Sequence, residues 1–190
     1  MHQHPPRKRF GYEEVEMHTS PPYGDYTDWL QEHAPAGSGG YLAGGVMHND
    51  WTVRPWHLDD YLHHTNWTVE RSLRFLRRRD PTRPFFLTVS FLGAHPPLQP
   101  PQFYFDRYIR TGVPEPRIGD WCARPEGKEL LRPDYASSGN VILEGEAMVS
   151  ARAAYYGLIN HIDDQLRRII NPVTGLSPKD TIIIFTSDHG

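Results

Sequence analysis

The chain has 190 residues and a mass of 21.9 kDa; 38% of it is hydrophobic and 23% charged, with 23 acids against 20 bases and a formal net charge of -3. That balance excludes a disordered charged tail and a general DNA binder, which would carry a basic excess. The apolar runs are too short to cross a bilayer, the single Cys122 excludes a disulfide framework or a cysteine-rich zinc module, and the first ten residues show no secretory pattern.

The first 65 residues carry few periodic segments. Pro5-Pro6, Pro21-Pro22, Pro35, the Gly37-Ser38-Gly39-Gly40 run and Gly44-Gly45 punctuate them. Short helical pieces are expected at 25–32 and 58–63. Tyr12, Tyr23, Tyr26, Trp29, Tyr41, Trp51 and Trp56 are too many aromatics for a linker, so this part reads as a loop-rich layer draped over a core.

Asn66 is a good N-cap, and Val69, Leu73 and Leu76 follow it at helical spacing. This predicts a helix of three to four turns that ends before Pro81. The Arg77-Arg78-Arg79 run has two readings, a phosphate-binding patch or a solvated helix end where cations favour the macrodipole. Residues 84–92, Pro-Phe-Phe-Leu-Thr-Val-Ser-Phe-Leu, then read as a strand buried on both faces. It runs into the rigid loop Gly93-Ala94-His95-Pro96-Pro97. The stretch 98–143 reads as loop. The clearest helix spans 146–170, with apolar or aromatic residues at Ala147, Ala151, Tyr155, Leu158, Ile162, Leu166 and Ile169, and Asn171-Pro172 ends it. The β-branched run 181–186 predicts a second buried strand, leading into Ser187-Asp188-His189-Gly190.

Helix, buried strand, long helix and buried strand are the grammar of an α/β protein with a parallel sheet covered on both faces. The long helix should then pack on the sheet through Tyr155, Leu158, Ile162 and Leu166. Two strands alone do not make a stable parallel sheet, so the pattern reads as part of a larger domain.

Ligands of open α/β sheets bind beyond the carboxyl ends of the strands. His95 follows the first strand and Asp188-His189 the second, so parallel strands would put them on one rim, within roughly 15 Å. Asp and His on one tight turn have two readings. They are half of a divalent metal site, or else a turn cap and a surface histidine. His95 likewise is either a site residue or a loop histidine wedged beside two prolines. His18, His33, His48, His57 and His63-His64 show no ligand spacing and read as structural or exposed. Asp163-Asp164 reads as solvated or hydrogen-bonded rather than metal-binding, and Cys122 as a packing residue. Neither a glycine-rich phosphate loop nor a serine nucleophile elbow is present.

Residues 83–97 resemble the RPFFLxVSFxxPHxP stretch of the sulfatase family, within the alkaline phosphatase superfamily. Residues 153–166, AAYYGLINHIDDQL, look like that family's AxYYGxIxxIDxxxG helix. Residues 181–190, TIIIFTSDHG, look like its metal strand, and the opening MHQHPPRKRFGY is similar to its GKMHFxPxRxxxGF segment. These motifs fall in family order along the whole chain.

The resemblance implies an alkaline-phosphatase-like three-layer sandwich with a mostly parallel central sheet, of which residues 1–190 are part of a single catalytic domain truncated at both ends. It implies a sulfuric ester hydrolase. Asp188 and His189 match the family's metal-binding pair. His95 matches the histidine that contacts the sulfate and protonates the leaving oxygen, and His2 the GKxH histidine near the nucleophile. The implied cofactors are a divalent metal, calcium first and manganese, magnesium or zinc after it, and a formylglycine. The chain departs from the pattern at that nucleophile: Cys122 is followed by Ala123-Arg124-Pro125, not the CxPxR motif, and lies out of order. The formylglycine and the paired metal-binding aspartates are expected upstream, so the 190 residues alone are expected to be inactive.

The implied partner is a small-molecule or carbohydrate sulfate ester, with no nucleic acid and no membrane span. Two rivals stand beside this reading. One is a phosphodiesterase or phosphonate monoester hydrolase of the same superfamily, and the other a non-catalytic chain that only binds anions. Localisation is not written in these residues.

Overall fold

A computed structural model of the chain describes residues 5, 7–18, 24–47, 49–117, 119, 143–176 and 180–187. Its helices are α1 (Asp25–His33), α2 (His64–Arg78), α3 (Gln102–Thr111) and α4 (Gly145–Leu176), with a 3-10 turn at Asp60–Leu62 before α2. Asp25 and Asp28 sit in the first turn of α1, where carboxylates favour the helix dipole. Asp25 also ties down the N-terminal layer, accepting from Arg7 Nη2 at 2.9 Å and from the Met17 N–H at 2.8 Å.

The N-cap of α2 is His63, not Asn66. Its ring Nδ1 accepts from the Thr65 N–H at 3.1 Å, which satisfies one of the orphan donors of the first turn. Asn66 lies inside that turn, buried, and its side chain works elsewhere. It donates to the Asp60 carbonyl and accepts from His161 Nε2 at 2.9 Å. The helix stops at Arg78, before Pro81, as its sequence predicts.

Residues 84–92 are extended and alternate with the period of two that a strand requires. Phe85, Leu87, Val89 and Phe91 pack on Val69, Leu73 and Leu76 of α2 and on Ile169 and Val173 of α4. The other face is open, with Phe86 78% exposed. The expected burial on both faces is therefore corrected to burial on one. Residues 181–187 form no regular element, and Ile182 and Phe185 are 89% and 85% exposed. Among the described residues neither segment belongs to a strand ladder. An extended segment forms a ladder only beside a partner strand.

The long helix starts within one residue of its sequence reading and corrects it at the C-terminal end. It begins at Gly145 and continues through Pro172 to Leu176. Proline lacks the N–H that would bond residue 168 and crowds that carbonyl, so it normally ends a helix. Here the extra turn places Val173 in the cluster beneath residues 85–91, and that burial offsets the lost bond.

The buried face includes Leu158 as expected, but not Tyr155. Ala151, Ala154 and Leu158 pack on Leu98, Trp51, Val53 and Phe105, whereas Tyr155 is 47% exposed. A helix, α3, occupies part of the stretch read as loop. Gly157 lets it approach: a Cβ there would lie 3.2 Å from the backbone C and O of Tyr104. Segments 54–56 and 98–100 are tied by Arg54 N–H to the Leu98 carbonyl and Trp56 N–H to the Pro100 carbonyl.

Candidate functional site

The loop after residues 84–92 carries His95 on the surface. The His95 N–H bonds the Leu92 carbonyl at 3.0 Å, which closes the turn. Its ring Nδ1 lies 2.6 Å from the Pro96 carbonyl. A carbonyl only accepts, so Nδ1 carries the hydrogen and Nε2 keeps its lone pair. Nε2 is thus the atom that can take up a proton and later deliver it to a leaving oxygen. The loop rests directly on two helices. A Cβ placed on Gly93 would lie 3.4 Å from Ile162 Cδ1, 3.8 Å from Leu158 Cδ2 and 3.9 Å from His64 Cε1.

Beneath that loop four histidines gather from distant parts of the chain. The His63 ring lies 4.1 Å from His64 and 4.8 Å from His161, and His18 lies 5.1 Å from His64. Their hydrogen bonds fix two of the tautomers. His63 Nδ1 accepts from the Thr65 N–H, so Nε2 holds the hydrogen and donates to the Gln99 carbonyl at 3.2 Å. Asn66 spends its amide N–H on Asp60, so its oxygen accepts from His161 Nε2–H. His161 Nδ1 is then an unprotonated, buried nitrogen without a partner among the described residues, and His18 Nε2 is likewise buried and unpartnered among them.

A proton added to His63 or His161 would create an N–H with no acceptor. Burial is the first cause that lowers the pKa of all four rings, to about 4 for His18 and His161 and well below the ordinary value for His63 and His64, where neighbouring imidazoles add to it. Asp164 opposes the shift at His161. Tyr41, against His18 and His64, is pushed up to about 12 by burial.

The sequence reading of His63-His64 as structural is met by their burial. The cluster itself was not read. Its signal was His161 on the apolar stripe of α4, three residues from Leu158. Asp164 accepts from the Tyr104 hydroxyl at 3.1 Å, so it is hydrogen-bonded across α3 and α4 as one of its readings has it. Among the described residues no group of three or more His, Cys, Asp or Glu side chains is arranged to hold a metal ion. His2, Asp188, His189 and Cys122 lie outside the described residues, and so does the distance from His95 to Asp188. Of the four predicted site residues, His95 alone is among those described.

The sulfatase family model matches residues 23–190. The chain is 41% identical over 167 residues to an arylsulfatase of Clostridium perfringens, covering 87% of this chain and 34% of that protein. It is 33% identical over 136 residues to the multifunctional alkaline phosphatase superfamily protein PehA of Trinickia caryophylli, covering 64% of this chain and 26% of that one. It is 30% identical over 113 residues to a choline-sulfatase of Rhizobium meliloti, covering 57% and 22%. The chain belongs to the sulfatase family. The family has an α/β fold of the alkaline-phosphatase type and generally works with a divalent metal and a formylglycine. The chain spans about a third of the length of the arylsulfatase it matches.

Proposed function

We propose that these residues form part of the catalytic domain of an enzyme that hydrolyses sulfate esters, with the loop 93–97 in its active site. The observation that carries the reading is the fixed orientation of His95, whose Nδ1–H is spent on Pro96 and whose Nε2 is left for the substrate. Cleaving a sulfate ester builds negative charge on the leaving oxygen. A protonated Nε2 aimed there stabilises that charge and then donates its proton. His2 is assigned to the same substrate pocket.

Asp188 and His189 are assigned as ligands of a divalent metal, because the TSDHG sequence supplies one hard oxygen and one imidazole, and calcium as the ion, because the family resemblance implies it. The metal, once bound, supplies positive charge for the sulfate oxygens, and the formylglycine supplies the nucleophile. We place 84–92 and 181–187 as parallel members of the central sheet of a three-layer sandwich. The open face at Phe86 and Phe185 supports that placement.

The test is turnover by the enzyme that contains these residues. An aryl sulfate should be cleaved, and chelation should abolish the reaction until calcium is restored. The likeness to the multifunctional superfamily protein makes an aryl phosphodiester the informative rival substrate. Faster cleavage of the phosphodiester would replace the sulfatase reading with phosphodiester hydrolysis. Absence of both reactions would leave the non-catalytic, anion-binding reading.

A further inference from the structure

A second feature lies on the flank of α2, away from the His95 loop. Trp67, Glu70, Arg71, Arg74 and Arg77 recur at steps of three and four, so they form one stripe of the helix. With Trp29 of α1 they line a cleft of about 220 Å³. His64 touches the His95 loop at Gly93, and Arg77 lies thirteen residues further on, about 20 Å along the helix axis.

The charges in the cleft do not balance. Glu70 is taken by Arg168 from α4. Among the described residues Glu16 alone then faces the arginines, 3.5 Å from Arg71 Nε and 3.9 Å from Arg74 Nη1. Charge-assisted bonds of this type close to about 2.7–2.9 Å when they are well formed, so Glu16 holds the pair loosely. Arg77 is exposed and has no partner among the described residues. Trp67 is 3% exposed, carries Arg71 over its ring at 5.6 Å, and its indole N–H has no acceptor among the described residues. Trp29 is half-buried, stacked on His33 at 4.7 Å. Guanidinium groups match the planar oxygens of an anion, and an indole offers a flat apolar surface to the C–H face of a sugar. An acidic peptide would use the arginines but has less need of the tryptophans.

We propose that this α2 cleft is a second binding site that holds a sulfated saccharide unit, its sulfate on Arg71, Arg74 and Arg77 and its ring beside Trp29. The choice of sulfate over other anions rests on the sulfate-ester reading above. The site binds and does not react, so its ligand is a further sulfated unit of an extended substrate or a sulfated glycan that keeps the enzyme at its substrate.

Binding is measured by calorimetry on the enzyme that contains these residues, with a sulfated hexasaccharide, its desulfated counterpart, inorganic sulfate and a polyglutamate peptide of equal charge. The sulfated hexasaccharide should bind, weaken as salt is raised, and lose affinity about tenfold or more in Arg74→Ala/Arg77→Ala. Trp29→Phe should weaken the hexasaccharide and leave inorganic sulfate unchanged. Near-ultraviolet circular dichroism checks that each variant is folded; should the double variant unfold, Arg77→Ala alone carries the test. Equal affinity in the arginine variants, equal affinity for the peptide, or no binding by the parent enzyme overturns the proposal. Turnover is not read in this assay. An enzyme that shows arginine-dependent binding but cleaves no sulfate ester keeps the cleft and sinks the active-site reading. One that cleaves aryl sulfates but shows no arginine-dependent binding does the reverse.

Discussion

Acidification should unfold this protein through its buried histidines well before its carboxylates titrate. His18 and His161 have folded-state pKa values of about 4, whereas an unfolded histidine titrates near 6.5. Between those values the unfolded chain binds more protons than the folded one, so stability rises with pH across that window. It is fully present above about 6.5, falls as the pH drops, and stops falling below about 4. Each ring should cost about 2 kcal/mol on going from about pH 8 to about pH 5, and about 3 kcal/mol below pH 4. His63 and His64 shift in the same direction and steepen the loss.

The two rings together amount to about 4 kcal/mol at pH 5, which for a chain of this size lowers Tm by about 8–16 °C. Thermal unfolding at a series of pH values reads this directly. His161→Gln keeps an amide donor for Asn66 but cannot titrate, so its profile should be flatter by about 2 kcal/mol over the same interval. A Tm that is level from pH 8 to pH 5, or a variant as steep as the parent, would refute the reasoning.

Other substitutions test the packing. Leu158→Ala empties a fully buried position between α4 and the His95 loop and should cost about 3 kcal/mol in urea unfolding. Gly157→Ala would gain about 1 kcal/mol in a free helix. Here the new Cβ meets the Tyr104 backbone at 3.2 Å, so the net change measured by thermal unfolding should be a loss. Tyr104→Phe removes the hydroxyl bond to Asp164 and should cost about 1 kcal/mol, read by the same measurement.

Much of the local structure was legible because it follows from periodicity. Val69, Leu73 and Leu76 marked α2, and the residues of α4 recurred at threes and fours. The alternation of Phe85, Leu87, Val89 and Phe91 was hidden inside an apolar run, since Phe86 and Leu92 are apolar too. A run of that kind reads as buried on both faces, yet its second face is open among the described residues. The first turn of α3 follows Pro100-Pro101, and those prolines read as loop although proline suits a helix start. Pro172 misled in the opposite way, because only the burial of Val173 reveals that the helix continues past it.

The histidine cluster could not be read because its members are separated by up to 143 positions, from His18 to His161. No spacing rule links residues that only the packing of α2 on α4 brings together. The motif around His95 was legible as chemistry. The bond to Pro96 that selects its reactive nitrogen required three dimensions.

The central claim is that His95 serves sulfate-ester cleavage from the loop at the end of residues 84–92. The most direct measurement compares kcat for an aryl sulfate between the enzyme containing these residues and its His95→Ala variant, with Tm recorded for both. Loss of a general acid should lower kcat by about 10²–10⁴-fold, while Tm barely moves because the ring is exposed and outside the core clusters. Turnover unchanged in the variant would contradict the account.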